Sequence, residues 1–573
     1  MSSPRLRVQF ETLFEHYNGQ NCGIQLEEIT DILFCTRRNA RIVLNKMEEQ
    51  GWIEWHPSPG RGKLSQLNFK RSRTDVSENL ARRYLEEGKI TQALNALDQD
   101  AAKLAQIVEN YLGVQQQEGE QVLRLPYYRA LSMLNPRKPV RRSEQHIARQ
   151  IFSGLTRLDE NESLSPDLAH NWDMLSPTHW RFYLRPNVRF HNGEQLTTEI
   201  VVDSLHELRG KPLYRHICDV TSPSRYVVDI LLDKPNYHLP LMLSESDAKV
   251  LLPESSRSAD YDQMPVGTGP YKIVSNTKTH LVLQAFDGYF GFRPLIDRVE
   301  VCVINDIHGS ILFPSMENTI KQTTEKPTDV ELDPGCTYFL LNRRSGLAKS
   351  DQWANYFSQR LGSLNLYNLL PQEKVVELGV LPAHGLKPGW YHHTAQGHYT
   401  SPPSYRKVTI AYHGQHPTFP VLIPSVEALL KQDNLEVELV KYDVSLPNPE
   451  QVDIWLKPMG ISTHRDDGLA GWLLNYSDIE QFCNPEDFDD WLKLVQTWQG
   501  QENSRFPARE IGKSLVDRMQ IIPIFHCWLG IGREQCGALQ NAKCNALGWF
   551  DFSQVWLKPE QVVEREQVNG EAE

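Results

Sequence analysis

Between positions 36 and 63 the sequence gathers side chains suited to a polyanion that presents hydrogen-bonding edges: Thr36, Arg37, Arg38, Asn39, Arg41 and Asn45, then Arg61 and Lys63. Arginine can donate two hydrogen bonds to guanine and asparagine can pair with adenine. The first six residues therefore fit base edges in a major groove, provided one helix carries them at its N-terminal end. The last two are cations in the tip Pro57-Ser58-Pro59-Gly60-Arg61-Gly62-Lys63, suited to phosphates or a minor groove.

The surrounding elements must hold these groups outward. Leu26, Ile29, Ile32 and Leu33 recur at helical spacing, and Cys35 and Thr36 supply a turn and a capping hydroxyl. A second helix over Arg37 to Gln50 buries Ala40, Val43, Leu44 and Met47 on the side opposite the polar set. Gly51 stops it, Trp52 to His56 reads as a strand, and Leu64 to Phe69 returns. The expectation is a winged helix-turn-helix domain (α+β) over residues 1–73, with the two helices spanning about 26–49. The competing reading is a small helical cap with a solvated basic face.

The rest of the chain differs in charge. Residues 1–73 hold 11 Lys/Arg and 8 Asp/Glu, a balance of +3, whereas the remainder carries 49 against 64 within a net charge of −12. An acidic body repels DNA, so nucleic-acid contact is expected only at the N-terminal unit. The length of 573 residues implies about three to five domain-sized units. Apolar content of 40% and charged content of 23% are ordinary for a soluble globular chain, apart from a polar tail at 561–573.

The N-terminus lacks an apolar export segment and runs directly into an amphipathic helix with Leu6, Phe10, Leu13 and Phe14. The longest apolar stretch, Ile521 to Ile531, is broken by Pro523 and His526 and falls short of the ~20 residues a membrane span needs. Nine scattered cysteines, never in a C-x-x-C pair, fit reduced thiols better than a disulfide framework or a zinc site. A cytoplasmic location is expected, with no membrane, no metal and no cofactor.

Residues 74–118 read as a helical linker. Gly88 divides it, and Leu94, Leu97, Ala101, Leu104, Val108 and Tyr111 form a seam suited to packing on its own domain or to pairing two subunits. Gln121 to Arg129 then reads as an opening strand, and Ile147 to Leu158 as a helix followed by a strand. Trp180, Phe182 and Leu184 alternate with Arg181, Tyr183 and Arg185 before a turn at Asn192-Gly193. Thr197 and Thr198 can cap the next helix, whose buried stripe is Val201, Leu205 and Leu208.

The order Phe152-Ser-Gly-Leu155, Leu164 to Trp172, Trp180 to Gly193 and Gly267-Thr-Gly-Pro-Tyr271 resembles the extracellular solute-binding proteins of the peptide and nickel uptake class. That resemblance implies a two-lobed α/β module of the type II periplasmic-binding-protein kind. Its first lobe is expected from 119–330, its second from 331–520, with a return to the first over 521–560. Together with Cys35-Thr-Arg-Arg-Asn39, Gly51-Trp52, Gly60-Arg-Gly-Lys63, Arg141 to Phe152 and Leu547 to Phe552, the whole chain resembles the SgrR-type regulators of sugar-phosphate stress. The resemblance implies a transcription factor that activates a small regulatory RNA gene, represses its own gene, and senses a sugar phosphate such as glucose phosphate. Its implied partners are double-stranded promoter DNA, the small-molecule ligand and RNA polymerase.

Candidate cleft residues are Tyr127, Tyr128 and Arg129 at the end of the opening strand, Asn342 and Arg343, and Trp472 and Trp528 as platforms for a sugar ring. Against these stand readings as core aromatics and solvated charges. Gly267-Thr268-Gly269-Pro270 could present backbone amides or form a rigid turn. No nucleophile, phosphate-loop or zinc-protease motif occurs, so no enzyme is expected. The alternative function is a cytosolic peptide- or oligosaccharide-binding protein whose N-terminal unit docks a protein partner.

Overall fold

The computed structural model describes residues 4–58, 63–86, 92–93, 96–97, 113–117, 119–138, 140–303, 330–392, 401–443, 445–530 and 539–558. The chain forms two compact units, Met1–Leu112 and Gly113–Glu573. In the first, α1 (Pro4–His16), α2 (Leu26–Ile32) and α3 (Arg37–Glu49) pack on a three-stranded sheet of β1 (Cys22–Ile24), β2 (Ile53–His56) and β3 (Ser65–Phe69). The sheet order is β1-β3-β2, antiparallel throughout, with Trp55 opposite Leu67. Phe10, Leu13, Ile29, Leu44, Met47 and Trp52 fill its core.

Gly51 ends α3 because its φ of +66° suits glycine. There its N–H bonds the Glu48 carbonyl while Trp52 N–H reaches back to Met47. This reversal sends β2 across the back of α3 and into the wing. Helix α4 (Arg73–Glu86) follows. Of the seam expected beyond it, Leu97 is buried, and Leu94, Ala101, Leu104, Val108 and Tyr111 lie outside the described residues.

The second unit has two lobes. A five-stranded sheet, ordered β12-β13-β14-β5-β4, centres the first: β4 (Gly113–Gln117), β5 (Glu120–Tyr127), β12 (Tyr271–Asn276), β13 (His280–Ala285) and β14 (Arg298–Val303). Strand β5 is buried along Val122–Tyr127 and pairs in parallel with β14. A strand covered on both faces is expected to be apolar, and the one charge in its buried stretch, Arg124, is matched by Glu300 at 2.7 Å. Helix α5 (Arg142–Ile151) packs on this sheet through Ile147, Ala148 and Ile151.

A small hairpin of β6 (Thr156–Leu158) and β7 (Leu164–Pro166) leads to a four-stranded antiparallel sheet ordered β10-β11-β9-β8. Its strands are β8 (Ala169–Ser176), β9 (His179–Leu184), β10 (Ile217–Ser224) and β11 (Val227–Leu232), flanked by α6 (Thr198–Leu208). The alternation in β9 buries Trp180, Phe182 and Leu184, and Thr197 caps α6 by accepting from Ile200 N–H.

The second lobe is a seven-stranded sheet ordered β15-β21-β16-β20-β18-β19, with β17 also on β21. It comprises β15 (Val330–Leu332), β16 (Thr337–Leu341), β17 (Val380–Pro382), β18 (Lys407–His413), β19 (Glu436–Tyr442), β20 (Ile454–Pro458) and β21 (Ile521–Gly530). Helices α7 (Asp351–Arg360), α8 (Phe419–Gln432), α9 (Pro485–Gln499) and α10 (Ala508–Asp517) cover it. The chain then returns to the first lobe, where β22 (Leu539–Gln540), Trp549, Phe552 and β23 (Trp556–Leu557) join the core around β5.

Two expected boundaries differ from this architecture. Residues 113–117, assigned to the linker, form an edge strand whose Val114 pairs with Leu123. Residues 521–530, assigned to the first lobe, form a central strand of the second, because the apolar run Ile521–Phe525 satisfies its ladder against β16. The first lobe's four-stranded sheet and the second lobe share one apolar cluster, which includes Trp180, Phe182, Tyr338, Trp455, Trp472 and Trp498.

Candidate DNA interface and ligand cavity

Thr36 caps α3 by accepting a hydrogen bond from Asn39 N–H at 3.3 Å. With Ala40, Val43, Leu44 and Met47 buried, Arg37, Arg38, Arg41 and Asn45 are exposed and Asn39 is half-buried. Arg37 forms an exposed ion pair with Glu27 of α2, a contact that contributes little in water. Among the described residues Arg38 and Arg41 have no carboxylate partner. Lys63 is exposed beside the wing tip, and Arg61 lies outside the described residues.

The sequence reasoning passed over Phe34. It is 96% exposed at a φ of +48° in the turn between α2 and α3, where its ring cannot reach the core. Ile42, also exposed, adds an apolar contact on α3 suited to a thymine methyl. The available signal was that Phe34 directly follows Leu33, out of step with the apolar spacing.

In the second unit a cavity of about 480 Å³ lies between the lobes, a size typical of small-molecule sites. The end of β5 contributes Tyr127, Tyr128 and Arg129, and the start of α5 contributes Arg141 to Gln145. The second lobe supplies Tyr338, His413, Tyr442, Trp455, Lys457, Trp472 and Asp478. Trp472 meets Tyr338 edge-on at 5.7 Å, and Trp455 meets Tyr442 at 5.5 Å. The walls are therefore aromatic on the second-lobe side, and most charge enters on the first.

That charge is largely paired. Arg129 grips Glu144 with both terminal nitrogens, one at 2.8 Å, and lies over the rings of Tyr127 and Tyr128. Burial works against ionisation of Glu144, but Arg129 outweighs it and holds the carboxyl below its ordinary value. Arg142 pairs with Asp333 and Lys457 with Asp478.

Arg141 is different. Among the described residues its only carboxylate partner, Glu144, is 3.6 Å away and already engaged by Arg129. Its other neighbour is His413, whose Nδ1 accepts from Gln415 N–H at 3.2 Å and whose Nε2 lies 2.6 Å from the Asp443 carbonyl. Those contacts put the ring proton on Nε2, so two donors face each other. Burial first, and then Arg141's charge, holds His413 down to about 4, leaving it neutral. Asp443 is exposed at the cavity's edge.

The sequence-derived candidates thus separate. Tyr127, Tyr128, Arg129 and Trp472 come together at the cavity. Asn342 does not: it is fully buried, donates to the Val452 carbonyl at 2.9 Å and accepts from Ser345 N–H at 3.0 Å, so its amide holds a turn. Arg343 also lies away from the cavity and reaches Asp351 at 2.5 Å. The backbone of Trp528 pairs with Leu332 in β21, and its side chain lies outside the described residues. Gly267 and Gly269 serve close packing, since a Cβ on Gly267 would stand 2.2 Å from the Ile151 carbonyl, and Gly269 N–H bonds that carbonyl at 2.8 Å. The cavity residues from α5 and from β18 to β20 were not among the candidates, because nothing local in sequence brings them to β5.

Away from the cavity the lobes also meet through polar contacts. Glu162, at a φ of +55°, accepts from His464 N–H at 2.8 Å. Burial opposes its ionisation, but His464 outweighs that and holds it down to about 2. Glu245 accepts from the Ser462 hydroxyl at 2.8 Å, and burial raises it to about 7 despite Arg149 nearby.

Residues 5–119 match the family described as sugar transport-related sRNA regulator, N-terminal, and residues 163–312 match the middle part of bacterial extracellular solute-binding proteins, family 5. The chain is 32% identical to the HTH-type transcriptional regulator SgrR of Yersinia pseudotuberculosis, over 98% of its own length and 100% of the relative. It is 34% identical to SgrR of Pectobacterium atrosepticum over the same shares. The chain belongs to the SgrR family of HTH-type transcriptional regulators.

Solved structures share the fold of the larger unit. The murein tripeptide binding protein MppA of Escherichia coli has a TM-score of 0.61 at 17% identity, covering 77% of this chain and 99% of its own. OppA of Burkholderia pseudomallei has a TM-score of 0.60 at 15% identity, covering 77% and 100%. Among the described residues, no helix is long and apolar enough to cross a membrane.

Proposed function

We propose that this chain is a cytoplasmic, ligand-responsive regulator that reads promoter DNA with α3 and the wing and senses a sugar phosphate in the cavity between its lobes. DNA contact is assigned to Thr36, Arg37, Arg38, Asn39, Arg41, Asn45, Arg61 and Lys63. The exposed polar face of α3 over a packed apolar one supports this assignment. Activation of a small RNA gene, repression of its own gene and contact with RNA polymerase follow from the family resemblance.

The observation that carries the ligand reading is Arg141, an incompletely paired guanidinium in an aromatic-walled cavity. A phosphate would relieve the donor-to-donor contact with His413, and a sugar ring would lie against Tyr442, Trp455 or Trp472. Ligand can shift DNA affinity only by binding two states of the chain unequally. A coupling of about 1–3 kcal/mol changes that affinity roughly 5- to 150-fold.

Thermal unfolding of the full chain with sugar phosphates, free sugars and short peptides tests the reading. Ligand at 100 times its Kd should stabilise the larger unit by about 2.7 kcal/mol. No shift with any sugar phosphate removes the sugar-phosphate assignment. One observation favours a second reading: Asp443 and Arg141 flank His413 with opposite charges and suit the two ends of a small peptide or other zwitterion. Peptide shifts without sugar shifts would establish it.

A further inference from the structure

Four buried polar atoms of cavity-lining residues have no hydrogen-bond partner among the described residues: Nε of Arg129 and Arg142, both in guanidiniums already paired with carboxylates, and two on uncharged side chains, Gln145 Oε1 on α5 and Trp455 Nε1 on β20. Gln145 is 1% exposed and Trp455 5%. The amide orientation of Gln145 is set by its other end, where Nε2 donates to the Val140 carbonyl at 3.4 Å and leaves Oε1 as an acceptor. The Trp455 ring is held between Phe482 at 5.3 Å and the edge of Tyr442, with Lys457 over its face, and an indole N–H can only donate. Apart from Arg141, the cations lining the cavity are committed: Arg129 to Glu144, Arg142 to Asp333 and Lys457 to Asp478.

We infer that Gln145 and Trp455 are the specificity-determining pair of this cavity and read, from opposite lobes, one hydroxyl or two neighbouring hydroxyls of a ring-bearing ligand. The inference rests on the sugar-phosphate reading above and divides its labour: Arg141 takes the anionic group, and the pair reads the neutral part. The argument is one of polarity. One atom accepts and the other donates, and a hydroxyl does both. A phosphate oxygen could accept from Trp455 but would set negative charge against Gln145 Oε1. A ligand lacking the hydroxyl leaves both atoms buried and unmet, which is how sites built to bond a hydroxyl reject its deoxy analogue. Because the two atoms belong to different lobes, the same contact favours the state in which the lobes meet.

The test is calorimetric titration of the full-length chain with glucose 6-phosphate, glucose, a tripeptide, and monodeoxy and deoxyfluoro forms of glucose 6-phosphate. Loss of one particular ring hydroxyl should weaken binding about 10-fold or more, and fluorine there should not restore it, since fluorine cannot donate to Gln145. Gln145→Leu and Trp455→Phe should weaken glucose 6-phosphate by a similar factor and abolish discrimination against that deoxy sugar. Arg141→Gln should instead shrink the difference between glucose 6-phosphate and glucose. If glucose 6-phosphate binds but every deoxy form stays within about 3-fold of it, the inference is overturned while the functional reading stands. Variants that retain full discrimination overturn it in the same way. If the wild type binds the tripeptide and no sugar, the ligand reading itself fails and takes the inference with it. The deoxy series uses only wild-type protein, so it decides the matter even if a variant does not fold.

Discussion

The arginines of α3 and those of the cavity obey opposite physics. Among the described residues Arg38 and Arg41 have no carboxylate partner and stand in water, on a helix whose other face is packed. Arg129 is 3% exposed and held by a carboxylate that is 1% exposed. An exposed guanidinium can stay unpaired because water solvates it, and it remains available to a polyanion at a strength that salt tunes. A buried one must be compensated in place, so a buried site has little free charge to offer and must select by shape and hydrogen-bond polarity. On the proposed function, one chain therefore reads two ligands by different means.

The contrast breaks most sharply on stability. Glu144→Gln should cost about 3–5 kcal/mol by leaving Arg129 uncompensated, read from the denaturant midpoint of the larger unit. Arg38→Ala or Arg41→Ala should stay within about 0.5 kcal/mol. Equal losses for the two kinds of change would erase the distinction.

Next in size is a pH effect at the partly buried polar contacts between the lobes. Glu245 keeps its proton to about pH 7 in the folded chain against an ordinary value of 4.5. Its folded value is the higher one, so its contribution is complete below about 4.5 and is lost as pH rises toward 7. Glu245→Gln should gain on the wild type at pH 8 by an amount on the order of 3 kcal/mol and show no such gain at pH 4. Glu162, held down to about 2, has the reverse sign: its contribution is present above about 4.5 and fades as pH falls toward 2. A wild-type stability profile unaltered by Glu245→Gln between pH 4 and 8 would remove the buried side of this argument.

On the exposed side, Arg38→Ala and Arg41→Ala should each cost about 1–3 kcal/mol in promoter affinity and relax sequence preference, whereas Lys63→Ala should lower the salt slope by about one without changing preference. Operator selection with each variant separates these roles. The smallest effect is expected from Thr36→Ala, about 1 kcal/mol of stability in the N-terminal unit through the lost cap, measured by urea unfolding.

Much was legible before folding where the signal is local. The buried stripe of α3, the Thr36 cap, the alternation of β9 and the Thr197 cap all lie within a dozen residues, and the helical and strand periods expose them directly. Tyr127 to Arg129 were found because they end a strand. Asn342 and Arg343 were misplaced on the same reasoning, since strand-end polar residues serve turns as readily as clefts and only the partners at Val452 and Asp351 distinguish the two.

By itself the sequence determined which faces are apolar, where helices cap and stop, how charge divides between the two units, and the family. Only the tertiary structure decided that Arg129 is neutralised and Arg141 is not, and that Gln145 and Trp455 share a cavity. It also decided that residues 521–530 complete the second sheet. Those facts depend on pairs more than a hundred residues apart, such as β5 with β14 or Arg141 with His413. Burial and pairing are properties of such neighbourhoods, so no window of the chain short enough to show a period can contain them.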